Sequence, residues 1–315
     1  MTGRPGHAST VPGASLSALL TRRREALAAH TASARKGDVG GVHQARVASR
    51  RLREAVPILA AGLDDVRTKP LKRRLRDLTR ALGAVRELDV AIGMVEELPV
   101  TGDQDRRLRE AWTQRLEAQR RAPARALRKA LARGERDTLD GLLADLVTAR
   151  RRSDDTAWRV ALASRLRERA RDLSDRIERT GALYHPEPLH EVRIAGKKLR
   201  YVLELAAETD LVRVVRALAT LKSAQEALGR LHDLDVLLAS LQVVPAAAHG
   251  EELHGAATDV ASRLEHESRL LHARYLRSRA ALLRVTALAG GTVLAAVRGR
   301  RPASGTRKEP PARGL

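Results

Sequence analysis

His43 and His190 each open a run of cations at one spacing. Val42-His-Gln-Ala-Arg-Val-Ala-Ser-Arg-Arg-Leu-Arg-Glu-Ala-Val56 recurs as Leu189-His-Glu-Val-Arg-Ile-Ala-Gly-Lys-Lys-Leu-Arg-Tyr-Val-Leu203. The first cassette supplies His43, Arg46, Arg50, Arg51 and Arg53, and the second supplies His190, Arg193, Lys197, Lys198 and Arg200. Guanidinium groups grip phosphate or carboxylate oxygens two at a time, which an ammonium does only as a point charge. A histidine among them can gain or lose a proton near neutral pH. The chemistry such a pattern serves is capture of a polyanion by two equivalent halves.

A helix must display these groups. With His43 at the origin and 100° per residue, Arg46, Arg50 and Arg53 fall at about −60°, −20° and −80°. Ala45, Ala48, Leu52, Ala55, Val56 and Leu59 fall on the opposite side and form an apolar stripe. His190, Arg193, Lys197 and Arg200 repeat the cationic face, with Arg51 and Lys198 at the flanks. Val192, Ala195, Leu199, Val202, Leu203 and Ala206 repeat the stripe. Neither basic face carries an acid at helical spacing, so its charges repel one another. A solvated basic surface is the plain reading of a single charge run. A repulsive stripe kept in two copies points instead to binding. The histidines are expected at or near helix N-termini, where free N–H groups favour anions. Affinity should therefore tighten as pH falls.

The repeat extends beyond the cassettes. Leu82-Gly-Ala-Val-Arg-Glu-Leu-Asp-Val90 matches Leu228-Gly-Arg-Leu-His-Asp-Leu-Asp-Val236, 146 residues on, while the two histidines stand 147 residues apart. The duplicated unit is thus about 147 residues long. Under the same offset Arg86 aligns with His232 and Arg76 with Lys222, while Lys72, Arg73, Arg76 and Arg80 share one helical face. Glu87, Asp89, Asp233 and Asp235 are candidates to orient these cations, or ordinary salt-bridge partners.

Periodicity and breakers divide the rest into helices. Residues 1–13 read as a flexible leader and 298–315 as a disordered tail, with the tail as a whole placed at 291–315. Between them, helices are predicted at about 15–36, 42–62, 65–83, 85–98 and 103–133, the last kinked or broken at Pro123. A short helix over 134–152 closes the first half, about 14–150. The second half, about 151–290, repeats the plan with helices at about 155–179, 189–209, 211–228, 231–243 and 249–283. Gly37-Asp-Val-Gly-Gly41 is read as a breaker before the first cassette. The fold class expected is all-α.

Composition agrees. Hydrophobic residues make up 43%, largely Ala, Leu and Val, and there is no Phe. Ala, Leu, Arg and Glu are all strong helix formers. The 59 basic residues against 38 acidic give a formal net charge of +21, which attracts anions at long range. The absence of cysteine excludes disulfides, thiolate metal sites and Cys nucleophiles. The first residues lack the apolar run of a secretory signal. The apolar stretch from Ala280 to Val297 is interrupted by Arg284 and Gly290-Gly291 and reads as a buried or partly exposed final helix, not as a transmembrane span. His249, His254, His266 and His272 sit on one charged segment and read as surface residues.

His-x-x-Arg-aliphatic-x-x-(Arg/Lys)-(Arg/Lys)-Leu-Arg, duplicated and followed by Leu-Gly-x-x-(Arg/His)-acid-x-Asp, resembles the CHAD family, the conserved histidine α-helical domain. The resemblance covers about Ser15 to Leu283. It implies two four-helix bundles related by a pseudo-twofold axis, a basic central cleft, and binding of inorganic polyphosphate, with placement on polyphosphate granules in the cytoplasm. The implied binding set is the ten cassette residues, with Arg76 and Lys222 at a further basic position and Arg73 and Arg80 beside them. Glu87 departs from the Asp usual in that motif. No strand-rich segment of the triphosphate-tunnel kind fused to some relatives is visible. No His/carboxylate set has metal-ligand spacing, and the reading expects binding without a cofactor, a metal or catalysis. Two alternatives stand. Nucleic-acid backbone binding uses the same charge, although single-strand binders stack bases on aromatics and this chain is 2% aromatic. A histidine phosphotransfer module would need one bundle and one exposed histidine.

Overall fold

The computed structural model describes residues 12–63, 66, 68–153, 155–209, 214–244 and 253–293. The tail from residue 294 and all but the end of the expected leader lie outside the described residues. Among the described residues the chain is all helical: α1 (Pro12–Lys36), α2 (Val39–Leu59), α3 (Thr68–Glu96), α4 (Asp103–Ala130), α5 (Arg133–Arg152), α6 (Ala157–Thr180), α7 (Pro186–Glu208), α8 (Val215–Leu241) and α9 (His254–Leu288). A π-helical turn, Ala289–Val293, continues α9.

Three predicted boundaries move, each for a physical reason. The predicted breaker ahead of the first cassette is mostly helix. Gly37, with φ +90°, ends α1, and the Asp38 carboxylate then caps α2 by accepting from the Gly41 N–H at 2.6 Å. Gly41 serves packing: a Cβ there would meet Ser33 Oγ at 2.3 Å and the Ala34 backbone nitrogen at 2.7 Å. Gly83 and Gly229 do not divide their helices either. A mid-helix glycine costs only about 1 kcal/mol relative to alanine. Buried Leu82 and Val85, and likewise Leu228 and Leu231, hold α3 and α8 continuous. The predicted break at Pro123 is also absent. The carbonyl of Gln119, deprived of its donor, lies on an exposed stretch of α4 where solvent can serve it.

The predicted apolar stripes are the core. All six positions on α2 and all six on α7 are buried, with Leu52, Ala55, Val56, Leu59, Leu199, Val202, Leu203 and Ala206 fully so. Neighbours follow one order in both halves: α1 packs on α2, α2 on α3 and α3 on α4, as α6 packs on α7, α7 on α8 and α8 on α9. The long α9 does the work of two helices, lying on α8 as α4 lies on α3 and on α6 as α5 lies on α1.

The halves share their interior. One hydrophobic cluster runs through α1, α2, α6 and α7, and a second joins α3 and α4 to α8 and α9 around Trp112, whose Nε1 donates to Ser240 Oγ at 2.9 Å. Ion pairs also cross between halves, among them Arg23–Glu208 at 2.8 Å, Arg51–Glu204 at 3.0 Å, and Glu54 with Arg169 at 3.1 Å and Arg165 at 4.0 Å. Among the described residues no helix is long and apolar enough to cross a membrane.

Candidate anion-binding site

Because α2 packs on α7, their basic faces meet. His43, Arg46 and Arg50 come from one helix and His190, Arg193 and Lys197 from the other, close enough to perturb one another's protonation. Arg86 and Glu87 of α3 and His232 and Asp233 of α8 complete the group. Among the described residues Arg46, Arg50, Arg193 and Lys197 have no ion pair. The Nε atoms of Arg46, Arg193 and Arg200 are buried without a hydrogen bond. An unpaired buried cation is costly in a resting protein.

That cost is visible in the protonation equilibria. Burial, reinforced by Arg193, Arg50 and Arg46 and only partly offset by Asp233, pulls the Lys197 amine down to about 6. Burial, with Arg50 and Arg193, lowers Arg46 to about 10. Burial lowers Arg193 as well, against the pull of Asp233. His43 is lowered by burial and then by Arg86, Arg46 and Lys197, and His190 by burial and then by Arg193, Lys197 and Arg50. His232 falls furthest among the histidines, to about 3, through burial and then Arg193 and His190. His190 and His232 place their Nδ1 atoms 3.0 Å apart, so one ring carries the proton there and the other accepts it. Burial raises the Asp233 carboxyl, which Arg193 and Lys197 oppose.

The remaining sequence candidates divide. Arg53 continues the strip along α2: burial lowers it, and Arg50, Arg76 and Arg80 are the cations that act on it alongside the attraction of Glu54. Arg76 and Arg80 are exposed and flank Asp77, at 3.9 and 3.6 Å. Arg51 and Arg200 are struts, both held by Glu204, at 3.0 and 3.6 Å. The basic face of α7 therefore does carry an acid at i+4, contrary to the sequence reading. Lys198 is partly exposed at the flank, as placed. Arg73 leaves the strip and lines a cleft of about 460 Å³ with Arg24, Asp140 and Glu135. Lys222 is exposed on α8, ten residues and ~15 Å before His232.

The histidines do not lie at helix ends. Each is the fifth residue of its helix, one turn inside, where the backbone N–H is already committed. Asp38 caps α2, and α7 opens with Pro186 and Pro188, which have no N–H to offer. Only the imidazoles can contact an anion. His272 is corrected too: its Nε2 is buried without a partner, and its ring meets Tyr184 edge-on at 5.3 Å. His254 and His266 are exposed, and His249 lies outside the described residues. Sequence reasoning left His232 and Arg86 out of the candidate set, although their alignment across the repeat marked both. Among the described residues no three His, Asp or Glu side chains are grouped to hold a metal ion.

Comparison with known proteins agrees with the motifs. The CHAD domain family profile matches residues 18–242, and the chain belongs to that family. A crystal structure of the CHAD domain from the plant Ricinus communis is similar at a TM-score of 0.56 and 23% identity, over 92% of this chain and 95% of that one. At that identity the likeness shows the fold. A comparison with curated proteins finds no match.

Proposed function

We propose that the chain binds inorganic polyphosphate, without chemical change to it, in the basic cleft where the two cassettes face each other. The binding unit is the helical domain of about 14–290, formed from two equivalent halves. The observation that carries this reading is the group of Arg46, Arg50, Arg193 and Lys197, drawn from both halves and left without ion pairs among the described residues. A chain of phosphates would supply the missing charge at each. His43, His190 and His232 would then gain protons and add donors, and Arg53, Arg76 and Arg80 would extend the track for longer chains.

The aromatic residues favour polyphosphate over single-stranded nucleic acid. Trp112, Trp158, Tyr201 and Tyr275 are buried, with Tyr201 already covered by the Arg200 guanidinium 5.1 Å from its ring centre, and Tyr184 is turned to Asp235, so no open aromatic face is left beside the cations for a base to stack on. The proposal places the protein in the cytoplasm, on polyphosphate granules. Its test is binding of long-chain polyphosphate by wild type and by Arg46→Glu and Arg193→Glu, measured at several salt concentrations. Each reversal should cost at least tenfold in affinity and flatten the salt dependence. Wild-type affinity in both variants would overturn the assignment.

A further inference from the structure

The two halves carry equivalent clefts outside the cation cluster, and they differ at one decisive position. Four positions of α3 that line the first-half cleft, from Asp89 to Glu96, recur 146 residues later on α8, from Asp235 to Gln242. Four of α4, from Glu117 to Ala124, recur 148 residues later on α9, from Glu265 to His272. Gly37 and Val39 recur as Tyr184 and Pro186. The clefts measure about 700 and 610 Å³, so the difference is not size but what serves the buried acid.

In the first half the protein's own guanidinium serves it. Arg120 Nε donates to Asp89 at 2.5 Å, and its terminal N–H donates to the Gly37 carbonyl at 3.1 Å. In the second half the equivalent of Arg120 is Ser268, too short to reach. The Tyr184 hydroxyl donates to one oxygen of Asp235 instead. Ser268 is 5% exposed and faces the cleft, its Oγ engaged only by the neighbouring Tyr184 hydroxyl, while the buried Nε2 of His272 has no hydrogen-bond partner. An unsatisfied imidazole nitrogen, a serine hydroxyl, a carboxylate and two aromatic rings thus surround the space a guanidinium fills in the other half.

We propose that the second-half cleft binds a small organic cation bearing a guanidinium or primary ammonium group. Asp235 receives the charge, as Asp89 does from Arg120. Ser268 Oγ and His272 Nε2 accept the outer N–H groups, the faces of Tyr184 and His272 flank the cation, and Leu238 and Ala239 line its stem. Of the charged side chains in the cleft, Arg269 is paired with Glu265 at 3.9 Å, which leaves Asp235 without a cation among the described residues; none of the polyphosphate-site residues lines the cleft. Burial holds the Asp235 carboxyl above its ordinary range, opposed by the Tyr184 hydrogen bond, and a bound cation would reverse that shift.

The probe is agmatine, a butyl chain with a guanidinium at one end and an ammonium at the other, titrated calorimetrically at constant ionic strength. Wild type should bind one equivalent. Ser268→Arg, which installs the first half's guanidinium, should weaken agmatine at least tenfold while keeping a cooperative unfolding transition at unchanged or higher Tm. Arg120→Ser should lose Tm, recover it with added agmatine, and bind a second equivalent. No saturable binding by wild type at millimolar agmatine, wild-type affinity in Ser268→Arg, or no recovery in Arg120→Ser would each overturn the proposal. The polyphosphate reading stands or falls separately, on the Arg46 and Arg193 variants.

Discussion

Replacing Lys197 with methionine should stabilise the free protein and weaken its hold on polyphosphate together. In the folded chain the amine is depressed from 10.5 to about 6 by burial and by Arg193, Arg50 and Arg46. Keeping it neutral at pH 7, when the unfolded chain would hold it charged, costs ~5 kcal/mol by linkage. Water reaching the partly exposed side chain relaxes some of that, so about 2 kcal/mol is the gain to expect when methionine keeps the stem and removes the ammonium. For a domain of this size that raises Tm by roughly 5 °C. The pH dependence carries a definite sign. Between about 6 and 10.5 the unfolded wild type binds more protons than the folded one, so wild-type stability rises with pH across that window. The advantage of Lys197→Met is therefore largest below pH 6 and vanishes above the ordinary lysine range. Thermal unfolding of both proteins at pH 6, 7.5 and 9, with polyphosphate titrations beside it, measures the effect. An unchanged or lower Tm for Lys197→Met at pH 6 and 7.5 would refute the claim that burying the Lys197 amine among neighbouring cations costs the resting fold stability. Unchanged affinity would refute the role of Lys197 in binding.

Other outcomes follow from the same contacts. Polyphosphate affinity should rise as pH falls from 8 to 6, because binding drives protons onto Lys197, His43 and His190, all lowered in the free protein; calorimetry in buffers of different ionisation enthalpy should show net proton uptake, and its absence would contradict this. Glu204→Gln should lower Tm by a few degrees yet tighten polyphosphate binding, since it releases Arg51 and Arg200 into the cationic face. Arg150→Met should cost about 3 kcal/mol in denaturant unfolding, since buried Arg150 donates to the carbonyls of Leu59, Ala61 and Asp155, while leaving anion affinity unchanged.

Local periodicity made the cassette helices legible. The 100° step separates Leu52 and Leu199 from Arg46 and Arg193, and the structure buries the first pair and gathers the second. What periodicity cannot show is the partner from a distant segment. Glu204 claims Arg51 across the half-to-half contact, which turns a predicted ligand into a strut. Arg73 shares a helical face with Arg76, but α1 and α5 pack beside it and draw it into another cleft. The position of His43 in the second turn of α2 turned on Gly41. Its sequence neighbourhood reads as a breaker, and only the close approach of α1 explains a glycine inside the helix. Asp89 and Asp235 align in sequence, yet one meets Arg120 and the other Tyr184, because the helices opposite them differ.

Competition between long-chain polyphosphate and duplex DNA, matched in phosphate concentration at physiological salt, tests the central claim most directly. The proposed binding of a bare phosphate chain by Arg46, Arg50, Arg193 and Lys197 predicts that polyphosphate displaces DNA completely, and that Arg46→Glu abolishes this preference. Retention of DNA in the face of equal polyphosphate would contradict the account.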